Sequence, residues 1–194
     1  MYPNLIRHVR NYVELSDEQA VMLMEHVKPL ELKKNDHILS DGQVCRANYF
    51  VEEGGLCMYF INDKGVEKVT QFALGSWWIG DYLSMTLQQP SCFFIKAFEN
   101  SLVLSIDVES QEKVYSMLPQ MERYTRLMMQ RGYGSQQARL RFIRSRTAEQ
   151  SYHTFRDLFP DFVQRIPQYM LASYLGLTPE YLSELRKKDN IRIS

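Results

Sequence analysis

The sequence predicts an α+β protein, with a β-roll in its first half, a long helix at its centre and a helix-turn-helix at its end. Three observations carry that prediction. Short β-rich runs separated by turn residues fill the stretch from Leu30 to about Asp107, a helical apolar rhythm replaces them from Val114, and five leucines around one glycine close the chain between Leu171 and Leu185. Many short strands at that spacing suit an antiparallel barrel or roll. The change of apolar period from two to 3.6 marks where sheet gives way to helix.

The 194 residues, 45% of them hydrophobic, suffice for one good-sized domain or two small ones. No run approaches the roughly 18 to 20 apolar residues of a membrane span, and Met1-Tyr2-Pro3-Asn4 lacks the basic-then-apolar order of a signal peptide. A cytoplasmic location with no membrane partner is therefore the expectation. Cys45, Cys57 and Cys92 form no Cys-x-x-Cys pair and read as small buried hydrophobes. The net charge of zero conceals an asymmetry: residues 1–108 hold 9 Lys+Arg against 14 Asp+Glu, and residues 109–194 hold 14 against 9. A basic half is a modest pointer to a polyanion partner, because neutralising phosphates releases counterions.

The first helical signal is Ser16 with Gln19, a capping box, followed by Val21, Met24 and Val27 at helical spacing until Pro29. The strands expected next are 49–51, 56–61, 66–73, 93–97 and 102–106, punctuated by Asn35-Asp36, Asp41-Gly42, Gly54-Gly55, Asn62-Asp63-Lys64-Gly65, Gly75 and Asn100-Ser101. Val114, Met117, Met121, Tyr124 and Met128 then alternate three- and four-residue steps, a stripe compatible with the seam of a dimer, until Gly132 and Gly134 interrupt it. Seven arginines from Arg123 to Arg146 read mostly as solvated helix surface. Thr147 with Gln150 repeats the capping box and opens a helix that stops before Pro160. Three segments follow from this reading: a sensor roll at 1–108, a central dimerisation helix at 109–134, and a helix-turn-helix at 135–194.

The richest stretch is IPQYMLASYLGLTPEYLSELRKK, residues 166–188. Leu171, Leu175, Leu177, Leu182 and Leu185 fit two short helices crossing steeply, with Ala172 allowing close approach and Gly176 taking the positive φ of the turn. Thr178 caps the second helix and Pro179 sits in its first turn. With Leu182 and Leu185 inward, the outward face presents Thr178, Pro179, Glu180, Tyr181, Ser183, Glu184, Arg186 and Lys187, and Gln168 opens the helix before it. Such a face suits a major groove, with side chains near the N-terminal end on base edges and basic groups at the far end on phosphates. Glu180 could accept from a cytosine amino group, while Glu184 counts against the fit because an acid in the groove repels phosphate.

The β-rich half, the long helix and this terminal hairpin together resemble the cyclic-AMP receptor/fumarate-nitrate regulator family, CRP/FNR, over nearly the whole chain and most strongly from Gln164 to Lys188. The resemblance implies a jelly-roll cyclic-nucleotide-binding fold for about residues 20–108, dimerisation along the next helix and a winged-helix C-terminal domain. It places the cyclic-nucleotide cassette at WIGDYLSMTLQQPSCFFIKA, residues 78–97, with Gly80 matching and Asp81 where a glutamate would hold ribose hydroxyls. The phosphate-neutralising arginine position falls on Ser91, followed by Cys92 and Phe93. Gly80, Asp81, Ser91 and Cys92 are accordingly the effector-pocket candidates, and tight cyclic-AMP binding is not expected without a guanidinium. The wing is reduced to one strand, Ile191 to Ile193, or lost.

The function expected is a DNA-binding transcription regulator, a homodimer reading a two-fold operator through residues 178–188, with double-stranded DNA, a second copy of the chain and RNA polymerase as candidate partners. No cofactor or metal is expected, and the effector is unidentified. The alternative is a signalling or interaction module that no longer touches DNA. Catalysis has little support, since the four histidines are dispersed and neither a Gly-rich phosphate loop nor a Gly-x-Ser-x-Gly elbow occurs.

Overall fold

The computed structural model of the chain describes residues 2–145 and 147–193, with Ile143 and residues 189–193 described by their backbone alone; Arg146, one of the seven arginines, lies outside the described residues. The chain forms two compact units, Met1–Phe60 with Gln71–Arg131 and Ile61–Thr70 with Gly132–Ser194.

The first unit opens with α1 (Pro3–Arg10) and α2 (Asp17–Met24). The Ser16–Gln19 capping box is present, and α2 ends five residues before Pro29. Helix α1 carries no side-chain cap of its own. Instead the buried Glu52 accepts from the Asn4 and Leu5 N–H groups at 2.7 and 3.0 Å, placing a carboxylate on the positive end of the helix. The roll follows as β1 (Lys28–Leu32), β2 (His37–Leu39), β3 (Ala47–Glu53), β4 (Gly55–Ile61), β5 (Glu67–Leu74), β6 (Trp78–Ile79), α3 (Tyr82–Leu87), β7 (Phe94–Ala97) and β8 (Ser101–Asp107). The strands lie in two sheets, ordered β1-β8-β3-β6 and β2-β7-β4-β5.

Strand alternation divides the core. Tyr49 and Val51 of β3 and Val103 of β8 enter one cluster with Leu56, Ile79 and Ile95, whereas Phe50, Leu104 and Ile106 enter another with α1 and α2. Both faces of β3 are therefore covered, which is why its apolar run is nearly continuous. At the β3–β4 turn Gly54 has φ +86°, and a Cβ on Gly55 would lie 2.2 Å from the Phe98 ring, so only glycine fits.

The central segment departs from the expected single helix. Helix α4 (Val108–Met117) ends at Leu118, and α5 (Gln120–Ser145) begins after Pro119. A proline disfavours helical geometry in the residue before it, and Leu118 has φ −130° and ψ 75°. Gly132 and Gly134 do not interrupt α5, which continues past residue 134 to Ser145.

The second unit contains the tip of the β4–β5 hairpin, the end of α5, and α6 (Ala148–Leu158), α7 (Pro160–Arg165), α8 (Gln168–Leu175) and α9 (Pro179–Ile193). The Thr147–Gln150 capping box is formed. Residues 191–193 continue α9, so the one-strand wing is corrected and the alternative, that no wing strand forms there, agrees with the structure. Among the described residues, no helix is long and apolar enough to cross a membrane.

Candidate nucleic-acid interface and ligand cassette

The terminal hairpin is built from its leucines outward. Leu171, Leu175, Leu182 and Leu185 are buried together with Met170 and Ala172. Gly176, at φ +73°, ends α8, and the Gly176 and Leu177 N–H groups turn back to the Ser173 and Ala172 carbonyls at 3.2 and 2.8 Å. Thr178 Oγ1 accepts the Tyr181 N–H at 3.2 Å, which starts α9 with Pro179 in its first position. Leu182 and Leu185 have no exposed surface, so α9 turns Thr178, Pro179, Glu180, Tyr181, Glu184, Lys187 and Lys188 to solvent, with Ser183 half-buried.

Two residues read from the sequence as DNA contacts are engaged within the unit. Gln168 Nε2 donates to the Pro179 carbonyl at 3.2 Å, tying the start of α8 to the start of α9. The half-buried Arg186 donates to the Val163 carbonyl at 3.0 Å and so anchors α9 to the last turn of α7. Lys187 and Lys188 have exposed side chains in the next positions. Tyr169, exposed in the first turn of α8, is a polar-tipped aromatic that the sequence reading does not single out.

The hairpin tip is stitched to α8. Ser173 Oγ accepts from the Val69 N–H at 2.9 Å and donates to the Glu67 carbonyl at 3.0 Å. Arg139 stacks 4.3 Å above the Tyr174 ring and donates to the Val69 and Tyr174 carbonyls. That half-buried arginine is structural, which corrects its reading as solvated surface.

In the cassette, Asp81 is consumed locally. Its Oδ1 caps α3 by accepting the Leu83 and Ser84 N–H groups at 3.1 and 3.2 Å, and its Oδ2 accepts the Ser91 hydroxyl at 2.6 Å. Ser91 Oγ also accepts the Phe93 N–H at 2.9 Å, and both Asp81 and Ser91 are buried. Gly80 precedes Asp81, and a Cβ there would stand 2.8 Å from Asn48 Oδ1, so a side chain at this position requires the Asn48 amide to shift. Cys92 is exposed, so it is corrected from a buried hydrophobe, while Cys45 and Cys57 are buried. Lys96 is buried with its Nζ 4.4 Å above the Tyr59 ring. A phosphate entering here would meet a carboxylate that already holds the first-turn amides.

The stripe expected to form a dimer seam is largely internal. Val114, Met121 and Tyr124 are buried in the first unit's own core, Met128 is half-buried against the same cluster, and Met117 alone of the five is exposed, by 39%. The break at Pro119 is the physical reason, since it turns the two helices' apolar sides onto α1 and α2. Tyr124 Oη accepts from Trp78 Nε1 at 2.8 Å and bonds His8 Nδ1 at 2.8 Å, and burial pushes its hydroxyl well above the ordinary tyrosine range. Among the described side chains of α5, the exposed large apolar ones are Met129, Tyr133 and Leu140.

A family model for the cyclic nucleotide-binding domain matches residues 29–117. The fumarate and nitrate reduction regulatory protein of Vibrio cholerae is 25% identical over 179 residues, which cover 87% of this chain and 70% of that protein. Among solved structures, FixK2 from Bradyrhizobium japonicum is similar with TM-score 0.73 at 18% identity, covering 86% of this chain and 85% of that one. A transcriptional regulator of the CRP/FNR family from Eubacterium rectale is similar with TM-score 0.68 at 16% identity, covering 92% and 85%. Residues 29–117 match the cyclic nucleotide-binding domain, and the chain is similar to CRP/FNR regulators over most of its length. At the position where the resemblance places an arginine stands Ser91, whose hydroxyl completes the Asp81 cap instead of carrying a positive charge. The CRP/FNR resemblance thus accounts for the roll and the terminal hairpin, and the polar groups between β6 and β7 are where this chain differs.

Proposed function

We propose that this DNA-binding transcription regulator of the CRP/FNR family works as a homodimer that reads a two-fold DNA site through α9, and that its roll does not take cyclic AMP. The observation that carries the reading is the complete burial of Leu182 and Leu185, which commits the polar side of α9 to the outside. Tyr181, Glu180 and Thr178 occupy the end of α9 that meets base edges in such docking, and Lys187 and Lys188 the end that meets phosphates. Arg186 and Gln168 hold the helix in place.

Met129, Tyr133 and Leu140 lie four and seven residues apart, on one side of α5, and supply the apolar surface for a second copy. Two recognition helices about 34 Å apart then address successive turns of duplex. Against cyclic AMP stands the Asp81–Ser91 pair, since a phosphodiester charge placed there lacks a cationic partner.

The test is fluorescence anisotropy with duplex from the protein's own upstream region, at rising salt. A dimer that binds with a log–log salt slope of several phosphate contacts supports the reading. A chain that sediments as a monomer and ignores the duplex at low salt overturns it. Glu180 and Glu184 on the outer face favour a second reading, a protein-interaction surface, for which the steep salt slope would be missing.

A further inference from the structure

We propose that the tip of the β4–β5 hairpin and Arg139 form a clasp that positions the helix-turn-helix. DNA affinity then depends on Glu67, Val69, Arg139 and Ser173, which act through α8. The inference rests on the reading of α9 as the DNA-contacting helix. Strand β5 ends the sheet order β2-β7-β4-β5, which leaves one of its sides without a strand neighbour among the described residues. Glu67 and Val69 stand two residues apart and so point the same way. The Val69 N–H donates to Ser173 Oγ at 2.9 Å, and the Ser173 hydroxyl donates to the Glu67 carbonyl at 3.0 Å. The Val69 carbonyl accepts from Arg139 at 3.3 Å. An open sheet edge invites unwanted pairing and is ordinarily blunted or covered. Here the cover is the first helix of the helix-turn-helix, in the same unit as residues 61–70.

The place of the clasp on α8 decides its role, because it holds the last turn, from which the chain bends into α9. A helix leaves its final carbonyls without intrahelical partners. Those of Ala172 and Ser173 accept the Leu177 and Gly176 N–H groups at 2.8 and 3.2 Å, and that of Tyr174 accepts from Arg139 at 3.2 Å. The guanidinium thus meets the negative end of the helix dipole while stacking 4.3 Å over the Tyr174 ring. A planar fork serves two carbonyls and a ring face at once, which a lysine ammonium does not. Val69 is buried, and Arg139, Ser173 and Tyr174 are half-buried, so competing water is partly excluded. Ser173 therefore holds the hairpin by its hydroxyl and the turn by its carbonyl. A displaced tip moves Gly176, and with it the Thr178 cap from which α9 starts. A recognition helix aimed wrongly loses its base contacts before its less directional attraction for phosphate.

Anisotropy of the full-length parent, Ser173→Ala, Ser173→Thr and Arg139→Gln is measured on duplex from the protein's own upstream region and on a scrambled duplex of the same length. Ser173→Ala and Arg139→Gln should lose at least about fivefold in affinity for the upstream duplex, the lower end of couplings between distinct sites. The scrambled duplex should lose less, with the salt slope unchanged because no phosphate contact is removed. Ser173→Thr keeps a hydroxyl and should retain the affinity. Amide exchange of the chain labelled with nitrogen-15 is followed without DNA. Ser173→Ala should speed exchange at Val69 and at Tyr181, whose N–H marks the start of α9, and leave Val103 of the roll core as in the parent. Coupling is reciprocal, so saturating upstream duplex should slow Val69 exchange in the parent. The proposal is overturned by parent-like affinity in folded Ser173→Ala, by equal losses on the two duplexes, by a Tyr181 amide indifferent to the change, or by faster exchange at all three amides alike. A parent that ignores both duplexes refutes the DNA reading, while exchange at Tyr181 still decides whether the hairpin tip holds α9.

Discussion

The cassette between β6 and β7 and the outer face of α9 hold the same kinds of side chain, but one spends them inward and the other leaves them free. Asp81 and Ser91 satisfy each other and the first turn of α3, buried beneath the roll's surface. On α9 Thr178 makes a single capping bond, and Glu180, Glu184, Lys187 and Lys188 face solvent. Residue type alone therefore does not mark a binding surface. The deciding quantity is how many of a group's hydrogen-bonding positions the chain itself already fills.

The largest effect that tests this contrast comes from the leucines that force α9 outward. Leu182→Ala removes a side chain with no exposed surface and should cost about 2 to 5 kcal/mol. Urea unfolding should report that loss, and operator binding should fall with it. Leu83→Ala, on the cassette helix but 69% exposed, should stay within about 0.5 kcal/mol. Equal effects of the two changes would break the distinction between a core that presents a helix and a helix that merely lies on a roll.

A smaller effect is expected at the cassette. Ser91→Ala deprives the buried Asp81 Oδ2 of its donor, and leaving that oxygen unsatisfied should cost about 1 to 3 kcal/mol. Calorimetry of the variant with and without cyclic AMP sharpens the comparison. The unfolding temperature should drop, and added cyclic AMP should not restore it. Stabilisation by the nucleotide in either protein would show that the cassette is not closed.

Next come the cations of α9, where position separates two roles. Lys187→Ala or Lys188→Ala should weaken DNA binding uniformly across sequences and lower the salt slope by about one unit each. Arg186→Ala should leave the slope nearly unchanged while reducing stability, because its guanidinium holds the Val163 carbonyl. Salt titrations beside unfolding curves distinguish the two, and a full unit of slope lost from Arg186→Ala would return that residue to the phosphate contacts.

The contrast also explains what could be read before the fold was known. The terminal hairpin was legible because its determinants are local: leucine spacing, Gly176 at positive φ and Thr178-Pro179 all act within a dozen residues. The same holds for both capping boxes and for β3, β4, β5, β7 and β8, whose β-rich runs are bounded by turns. Helix α1 was not legible, since the carboxylate at its N-terminus comes from Glu52, 48 and 47 residues from the amides it meets. β2 and β6 are three and two residues long, too short for a periodicity. The break at Pro119 carried a local signal, but the stripe across it was followed instead, and Val114, Met121 and Tyr124 proved to be core.

The smallest expected effect follows from the core that took those stripe residues. Tyr124 Oη accepts the Trp78 indole N–H, which leaves its own hydrogen for His8 Nδ1 and suits a neutral imidazole with its proton on Nε2. Burial, and secondarily the Arg131 charge, lower the His8 pKa from 6.5. The unfolded chain then binds more protons than the folded one as pH falls below about 6.5, so the network's contribution is present above that value and is lost beneath it. Thermal unfolding should shift to lower temperature between pH 7.5 and 5.5, with His8→Gln showing a smaller shift than the parent. The cassette holds no histidine, so a Trp78 fluorescence change that tracks the same pH range would locate the loss at α1 and α5, not at Asp81 and Ser91. An unchanged pH profile in His8→Gln would remove His8 from the account and leave Tyr124 as a packing residue only.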